Sequence, residues 1–420
     1  MRPLQPVRGT QDLLPEAARR HRRVGETARA FAELYGFLEI ATPIFEFKDV
    51  FARPIGEHTD IVAKEMYTFT DRGGEEVTLR PENTAGVVRA VLSNGLVQSL
   101  PLKFFYEGPM FRYERPQKGR FRQFHQIGIE LIGVAQPQAD IEVLALGRRI
   151  LDALGMGERT VLELNTLGDA ESRAAYRQAL VSYLSVRTSE LSEDSRRRLK
   201  RNPLRVLDSK EEPDQHVIRD APVFADYQNA ESRRFFDQVR TGLDRLGIAY
   251  RLNPRLVRGL DYYTHTAFEF VTTDLGTQGT VMGGGRYDGL IEMMGGPAVP
   301  GVGWAAGVER LAMLMPEPLP LRSPVAMVPI GEAGEMAASK LAEELRDHGL
   351  AVDLGYSGNL ARRLRRANRI GAFAAILLGE DELARGVATL RDLDTGVQCE
   401  VSLIDLPARL RSLADERAVR

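Results

Sequence analysis

The chain has 420 residues with a net charge of −2, and its 43% hydrophobic and 27% charged residues are ordinary proportions for a globular protein. That length suits two or three domains, and that charge gives the chain as a whole no pull on nucleic acid, so any such contact must come from local patches. A single cysteine, Cys399, excludes an internal disulfide and a multi-cysteine zinc site, and six histidines without an HExxH pattern suggest no histidine-built metal centre.

The opening MRPLQPVRGT holds no apolar stretch of signal type, and no apolar run approaches the roughly 18 residues of a spanning helix. A cytoplasmic chain is expected. Residues 16–35 are predicted as an amphipathic helix with Val24, Ala28, Phe31 and Leu34/Tyr35 on one face, stopped by Gly36. A short strand, Phe37 to Ile40, ends near Pro43. Between 77 and 131 strand-like runs surround one helix, about Asn83 to Asn94, and another helix at about 139–154 ends at Gly155. Composition shifts after Leu167, and residues 170–248 read as a mostly helical insertion. Strands return at 266–271 and 279–283, and a helix at about 307–315 is closed by Pro316. The stretch PEPLPLRSP (316–324) reads as a linker. Beyond it, strands at Val325–Ile330, Val352–Leu354 and Ala374–Leu378 alternate with helices at 333–348 and 359–370, which implies a small α/β domain.

The most informative segment is Phe104 to Leu131. An extended Arg122–Leu131 puts Arg122, Phe124, Gln126, Gly128 and Glu130 on one face and His125, Ile127, Ile129 and Leu131 on the other. Polar groups around the gap at Gly128 fit the floor of a pocket for a small zwitterion; a solvent-facing sheet surface fits the same pattern. Upstream, Phe111 to Glu114 ends a strand, and Arg120 and Arg122 lie on the return. A hairpin with arginines on both arms suits a bidentate grip on phosphate; a solvated loop surface fits the same cluster. In Arg258 to Phe270, Tyr262 and Tyr263 should point to opposite sides if extended, one to the core and one to a pocket; taken alone, the segment fits better a salt-bridged turn leading into a strand. Gly301 to Leu311 has GxGxxxG spacing with no βαβ unit after it, so it is not a dinucleotide fingerprint. Arg310 falls in the first turn of the following helix, a setting that favours polyphosphate. No GxxxxGK[ST] occurs, so ATP would not bind through a P-loop.

Three arginine-bearing segments in this order resemble the signature motifs of class II aminoacyl-tRNA synthetases, and their details resemble the histidyl-tRNA synthetases. The first motif resembles Gly36-Phe37 to Pro43, the second Phe111 to Glu130 with Arg115-Pro-Gln-Lys-Gly-Arg120, and the third Gly301 to Leu311. Arg258 to Tyr263 matches the histidine-specific RGLDYY segment, and Arg8 to Pro15 and Leu79 to Ala85 fit too. The resemblance implies an α+β fold: an antiparallel sheet flanked by helices, with a helical insertion and a C-terminal α/β anticodon-binding domain. Its boundaries would be 1–322, with the insertion at about 170–248, and 323–420.

The same resemblance implies ATP-dependent activation of L-histidine and its transfer to the 3′ end of tRNA(His) by a homodimer. Glu82, Thr84 and Gln126 would hold the α-amino group, with Asn83 standing where relatives have glycine. Glu130 and Tyr263 would bond the two imidazole nitrogens, and Tyr262 and Tyr287 would line the histidine pocket. Arg112 would hold the α-phosphate, Arg258 would stabilise charge there, Arg310 would hold the γ-phosphate, and Glu114 and Arg120 would seat ATP with its Mg2+. Some relatives carry cysteines where this chain has Ser192 and Ser195, and nothing suggests zinc. Contacts to tRNA are expected from Arg115, Gln117 and Lys118 and from Arg362, Arg366 and Arg369, which share a helix face. The rival reading is a histidine-sensing regulatory subunit of ATP phosphoribosyltransferase. The intact arginine set and the residues beyond 325 argue against it.

Overall fold

The computed structural model describes residues 4–56, 59, 61–207, 209–257, 262–276, 279–316 and 323–418. It divides into two compact units, Met1–Pro318 and Leu319–Arg420. Helix α1 (Pro15–Leu34) carries Pro15 at a position where a missing N–H costs nothing, and Gly36 beyond it takes φ +78°. Its buried residues are Val24, Gly25, Thr27, Ala28 and Ala32; Leu34, expected on the buried face, is 77% exposed as the last residue of the helix.

Strand β1 (Leu38–Glu39) follows, then β2 (Phe45–Phe47), α2 (Asp49–Ile55), β3 (Tyr67–Thr70) and β4 (Glu76–Leu79). Strands β2, β4 and β3 form a small antiparallel sheet. Helix α3 (Thr84–Ser93) leads to the hairpin β5 (Leu102–Phe111) and β6 (Gln123–Ile132), paired along their whole length. Helix α4 (Pro137–Ala153) and β7 (Val161–Thr166) precede α5 (Ala170–Ser185), α6 (Glu193–Arg201) and α7 (Glu212–Arg219). Those helices enclose a core of their own, with Tyr176, Leu180, Leu184, Val206, Ile218 and Phe224. Helix α8 (Ala230–Arg245), read from composition as part of the insertion, packs instead on α4. Its Phe236, Val239 and Leu243 join the main core.

The first unit closes with β8 (Tyr250–Leu252), β9 (Thr264–Val271), β10 (Thr280–Arg286), α9 (Leu290–Met293), β11 (Gly301–Gly307) and α10 (Val308–Leu314). Its main sheet has eight strands in the order β1-β5-β6-β11-β10-β9-β7-β8. The six central strands are antiparallel, as expected, but β1 and β8 each pair in parallel, so the sheet is mixed. One face of β6, Ile127, Ile129 and Leu131, packs into the core with α1, α4 and α8. The other face, with Gln126, Gly128 and Glu130, looks toward α3 and a cluster of tyrosines. Trp304 anchors β11 on the first side by donating its indole N–H to Val143 O at 3.0 Å.

The second unit has β12 (Val325–Pro329), α11 (Gly331–Asp347), β13 (Val352–Leu354), α12 (Leu360–Arg369), β14 (Ala374–Leu378), α13 (Glu380–Ala384), β15 (Val387–Asp392), β16 (Gln398–Ser402) and α14 (Leu406–Ala418). Sheet order is β13-β12-β14-β15-β16, parallel for the first three strands and antiparallel for the last two. The final hairpin was not read from sequence, because β15 and β16 mix charged and apolar residues without a long buried run.

Candidate active site

One cavity, of about 210 Å³, opens at the C-terminal end of β5 and between β6, β9, β10 and β11. Of the residues singled out in the sequence, Glu82, Thr84, Arg112, Glu114, Arg120, Gln126, Tyr262, Tyr263 and Arg310 line it. Their convergence has local causes. Glu82 accepts the first N–H groups of α3, from Thr84 at 2.6 Å and Ala85 at 3.0 Å, so this carboxylate is both helix cap and cavity wall. Burial pushes its carboxyl up, partly offset by those two bonds.

The arginines are aimed by backbone carbonyls. Arg112 donates Nε–H to Pro81 O at 2.8 Å and lies over the Phe124 ring at 5.4 Å. Arg310 donates to Gly119 O at 3.1 Å and Thr280 O at 2.6 Å, tying α10 to the hairpin loop and to β10. Arg120 pairs with Glu114, and Arg112 lies 3.9 Å from the same carboxylate. Burial, then the nearby Arg120 and Arg112, depress Arg310, and burial followed by Arg112 does the same to Arg120. Several guanidiniums held at one cavity repel one another, and a polyanion relieves that repulsion.

Deeper in, Glu130 is fully buried. Thr84 donates its hydroxyl to Glu130 Oε1 at 2.7 Å, and Tyr287 donates to Oε2. Burial raises its carboxyl from 4.5 to about 8, and those two hydroxyls offset only part of the cost. Gly303 stands opposite Glu130 in the sheet, and a Cβ there would lie 2.1 Å from Oε2. Glycine is needed at that position for the carboxylate to fit.

Two models match this chain, that of Histidyl-tRNA synthetase over residues 9–311 and that of an anticodon binding domain over residues 324–413. The chain belongs to the histidyl-tRNA synthetase family. It is 63% identical over 404 residues to the histidine–tRNA ligase of Rhodospirillum rubrum, across 96% of this chain and 97% of that one. With the histidine–tRNA ligase of Gluconacetobacter diazotrophicus it shares 58% over 414 residues, 99% of this chain and all of its relative (100%). The apo histidyl-tRNA synthetase of S. aureus has a similar structure, with a TM-score of 0.81 at 36% identity, covering 97% of this chain and 99% of that one.

Within this family member, three expected residues stand behind the cavity wall. Glu130 and Tyr287 are closed against each other, and Asn83 accepts from Thr42 Oγ1 at 2.6 Å and from Arg80 at 3.3 Å beneath α3. The open space expected at Gly128 is filled: Tyr106 crosses it from β5, so near that a Cβ on Gly128 would meet the phenol at 2.3 Å. Tyr262 and Tyr263 do not diverge. Both are buried, both line the cavity, and their rings lie 4.7 Å apart, because the chain reaches regular strand geometry only from Thr264. Arg258 lies outside the described residues.

Arg122, expected to grip phosphate with Arg120, instead stacks on Tyr113 at 3.7 Å and donates to the Glu114 and Arg8 carbonyls. In the hairpin loop Arg115, Gln117 and Lys118 are exposed. On α12, Arg362 and Arg369 are exposed, whereas Arg366 is engaged by both oxygens of Asp353, at 3.0 and 2.7 Å.

Sequence reasoning gave no role to Tyr106, Glu269, Thr280 or Glu309. Glu269 accepts from Thr280 at 2.7 Å on the cavity wall. Alternation on β9 could have flagged it as a carboxylate on a strand otherwise filled by core residues. Tyr106 carried no such signal, since its register against Gly128 is set by pairing. The histidines, read as scattered, include two brought together: the His21 and His125 rings are 5.6 Å apart, and Glu309 lies 3.0 Å from His125 Nδ1. Among the described residues no helix is long and apolar enough to cross a membrane.

Proposed function

We propose that the chain activates L-histidine with ATP and transfers the histidyl group to the 3′ end of tRNA(His), acting in the cytoplasm as a homodimer. The observation that carries the reading is the convergence of Arg112, Arg120 and Arg310 at one cavity beside Gln126, Thr84, Glu82 and Tyr263. In the first step a carboxylate oxygen of histidine attacks the α-phosphorus of ATP, forming histidyl-adenylate as pyrophosphate leaves. In the second a terminal ribose hydroxyl of the tRNA attacks the histidyl carbonyl, its proton is lost, and AMP leaves.

The side chains then bind, orient and stabilise charge. Arg112 takes the α-phosphate, where charge builds as phosphorus is attacked, and Arg258 is assigned to the same charge. Arg310 takes the γ-phosphate, and Arg120, held by Glu114, seats the nucleotide. Magnesium would come with ATP, and Glu114 and Glu269, two of the four carboxylates that line the cavity, would offer it oxygen donors. The buried Gln126 Oε1 accepts no hydrogen bond from the described residues and suits the ammonium group of histidine, together with Glu82 and Thr84. Tyr263 faces the imidazole directly. Glu130 reaches it when Thr84 or Tyr287 releases one of its oxygens, and Tyr262 and Tyr287 close the pocket around them. Asn83 acts from behind by holding the start of α3.

Arg115, Gln117 and Lys118 are placed to meet the acceptor end of the tRNA, and Arg362 and Arg369 to meet the anticodon, with Arg366 acting through its pair with Asp353. The second copy is assigned to the exposed aromatic patch of the small sheet, where Phe45, Phe47 and Phe69 are 60%, 58% and 49% exposed. A histidine-sensing regulatory role is not favoured: two histidine–tRNA ligases match almost end to end, and an anticodon binding domain is present. The test is exchange of labelled pyrophosphate into ATP. It is expected with histidine and not with glycine or proline; folded protein showing none with histidine overturns the reading.

A further inference from the structure

At the β6–β11 wall, α1, β6 and α10 bring together three side chains that the proposed chemistry does not use, and one of them, Glu309, borders the cavity. His21 comes from the second turn of α1, His125 from β6 and Glu309 from the first turn of α10. One ligand-capable atom from each lies within 4.8 Å of the other two. The imidazoles meet edge to face, at 80° between planes, and both are half-buried, while Glu309 is 4% exposed. Glu309 is also oriented in advance: the backbone N–H of His125 donates to both its oxygens, at 2.9 and 3.0 Å, and its Oε1 lies 3.0 Å from His125 Nδ1.

We propose that His21, His125 and Glu309 form a binding site for a divalent transition-metal ion of the zinc class. Two imidazoles and one carboxylate are an established zinc donor set, with bonds of about 2.0–2.2 Å that put tetrahedral ligand atoms about 3.3 Å apart. The Nδ1–Oε1 separation is already close to that spacing. The looser leg is His21, which is half-buried and closes by a rotamer change. The His125 backbone N–H, shared between both Glu309 oxygens, supplies the outer hydrogen bond that orients a metal ligand, and a solvent molecule completes four-coordination. If the ion takes His125 through Nδ1, the ring proton moves to Nε2 and Glu309 trades its contact with that proton for one with the metal.

The site's place gives it consequence. His125 precedes Gln126 and Glu309 precedes Arg310, so an ion there pins α1 to the two segments that carry a histidine-side and an ATP-side residue of the cavity. Its existence does not depend on what the cavity binds.

The test uses the full chain with Cys399, the exposed thiol, replaced by serine, stripped of metal and titrated with Zn2+ by calorimetry. One saturable ion per chain is expected, with a rise in unfolding temperature. His21→Ala should weaken binding at least tenfold and abolish that rise without changing the metal-free unfolding temperature. His21→Phe keeps the ring packing against His125 and serves as the second comparison if alanine loosens α1. Co2+ should give visible ligand-field bands in the parent that both variants lack. Absence of saturable Zn2+ binding, or binding that survives both substitutions unchanged, overturns the proposal.

Discussion

Two buried carboxylates, Glu130 in the catalytic sheet and Asp214 in the helical insertion, show how similar surroundings lead to opposite charge states. Asp214 receives the hydroxyls of Ser192, Ser195 and Ser209 at 2.5–2.7 Å and the N–H of Ser192 at 2.7 Å. Burial by itself would raise its carboxyl, and these donors together outweigh it, so Asp214 lies below its ordinary value. Among the described residues, Glu130 receives the hydroxyls of Thr84 and Tyr287, with Tyr106 a lesser influence, but no backbone N–H, and another carboxylate, Glu82, lies nearby. Its burial cost stays unpaid and the carboxyl rises to about 8. A carboxylate that only holds structure is saturated with donors; one beside a substrate cavity is left short, and a ligand bringing N–H groups can complete it.

That contrast can be broken in several ways. A third carboxylate, Asp140, is neutralised by a full charge, since Arg286 grips it while also donating to Val134 O at 3.0 Å. Arg286→Met should cost the most, about 3–5 kcal/mol, because it strands a fully buried carboxylate; denaturant unfolding measures it. Asp214→Ala should cost about 3 kcal/mol by leaving three hydroxyls and an N–H without their acceptor, while histidine-dependent exchange stays within about twofold. Glu130→Gln should reverse that pattern, lowering exchange at least tenfold, over about 1.4 kcal/mol, with little change in unfolding at pH 8.

The pH dependence sharpens the same point. Because Glu130 is raised from 4.5 to about 8, the folded chain holds a proton that the unfolded chain releases within that window. The stability it contributes is full below pH 4.5 and is lost as pH rises through about 8, by up to about 1.4 kcal/mol per pH unit. Glu130→Gln should flatten that slope between pH 5 and 8, and an unchanged slope would place the proton elsewhere. The smallest effect is expected on α12: Arg362→Ala should raise the KM for tRNA severalfold without altering exchange, and more than Arg366→Ala does, since Asp353 already occupies Arg366.

Alternation on β6 was legible from residues alone, and the structure keeps it: Ile127, Ile129 and Leu131 face the core, with Gln126 and Glu130 opposite. Period-2 geometry is local, so a single strand carries it. The reading of Tyr262 and Tyr263 on opposite sides failed for the converse reason. It assumed extended backbone two residues before the strand begins, and there nearby packing, not alternation, sets the ring directions. Arg122 was misplaced similarly, since an arginine's charge does not say whether it meets phosphate or the face of Tyr113.

By itself the sequence determined the long helices, the most apolar strands and their buried faces and, through three spaced motifs, the family. Those properties depend on residues within a few turns of one another, or on patterns preserved as text. Tertiary structure alone decided that Tyr106 fills the gap above Gly128, that Glu130 is closed by Thr84 and Tyr287, and that His21 meets His125 and Glu309. Such contacts join residues from 22 to 288 positions apart, and only strand register and helix packing bring them within hydrogen-bond or ligand distance.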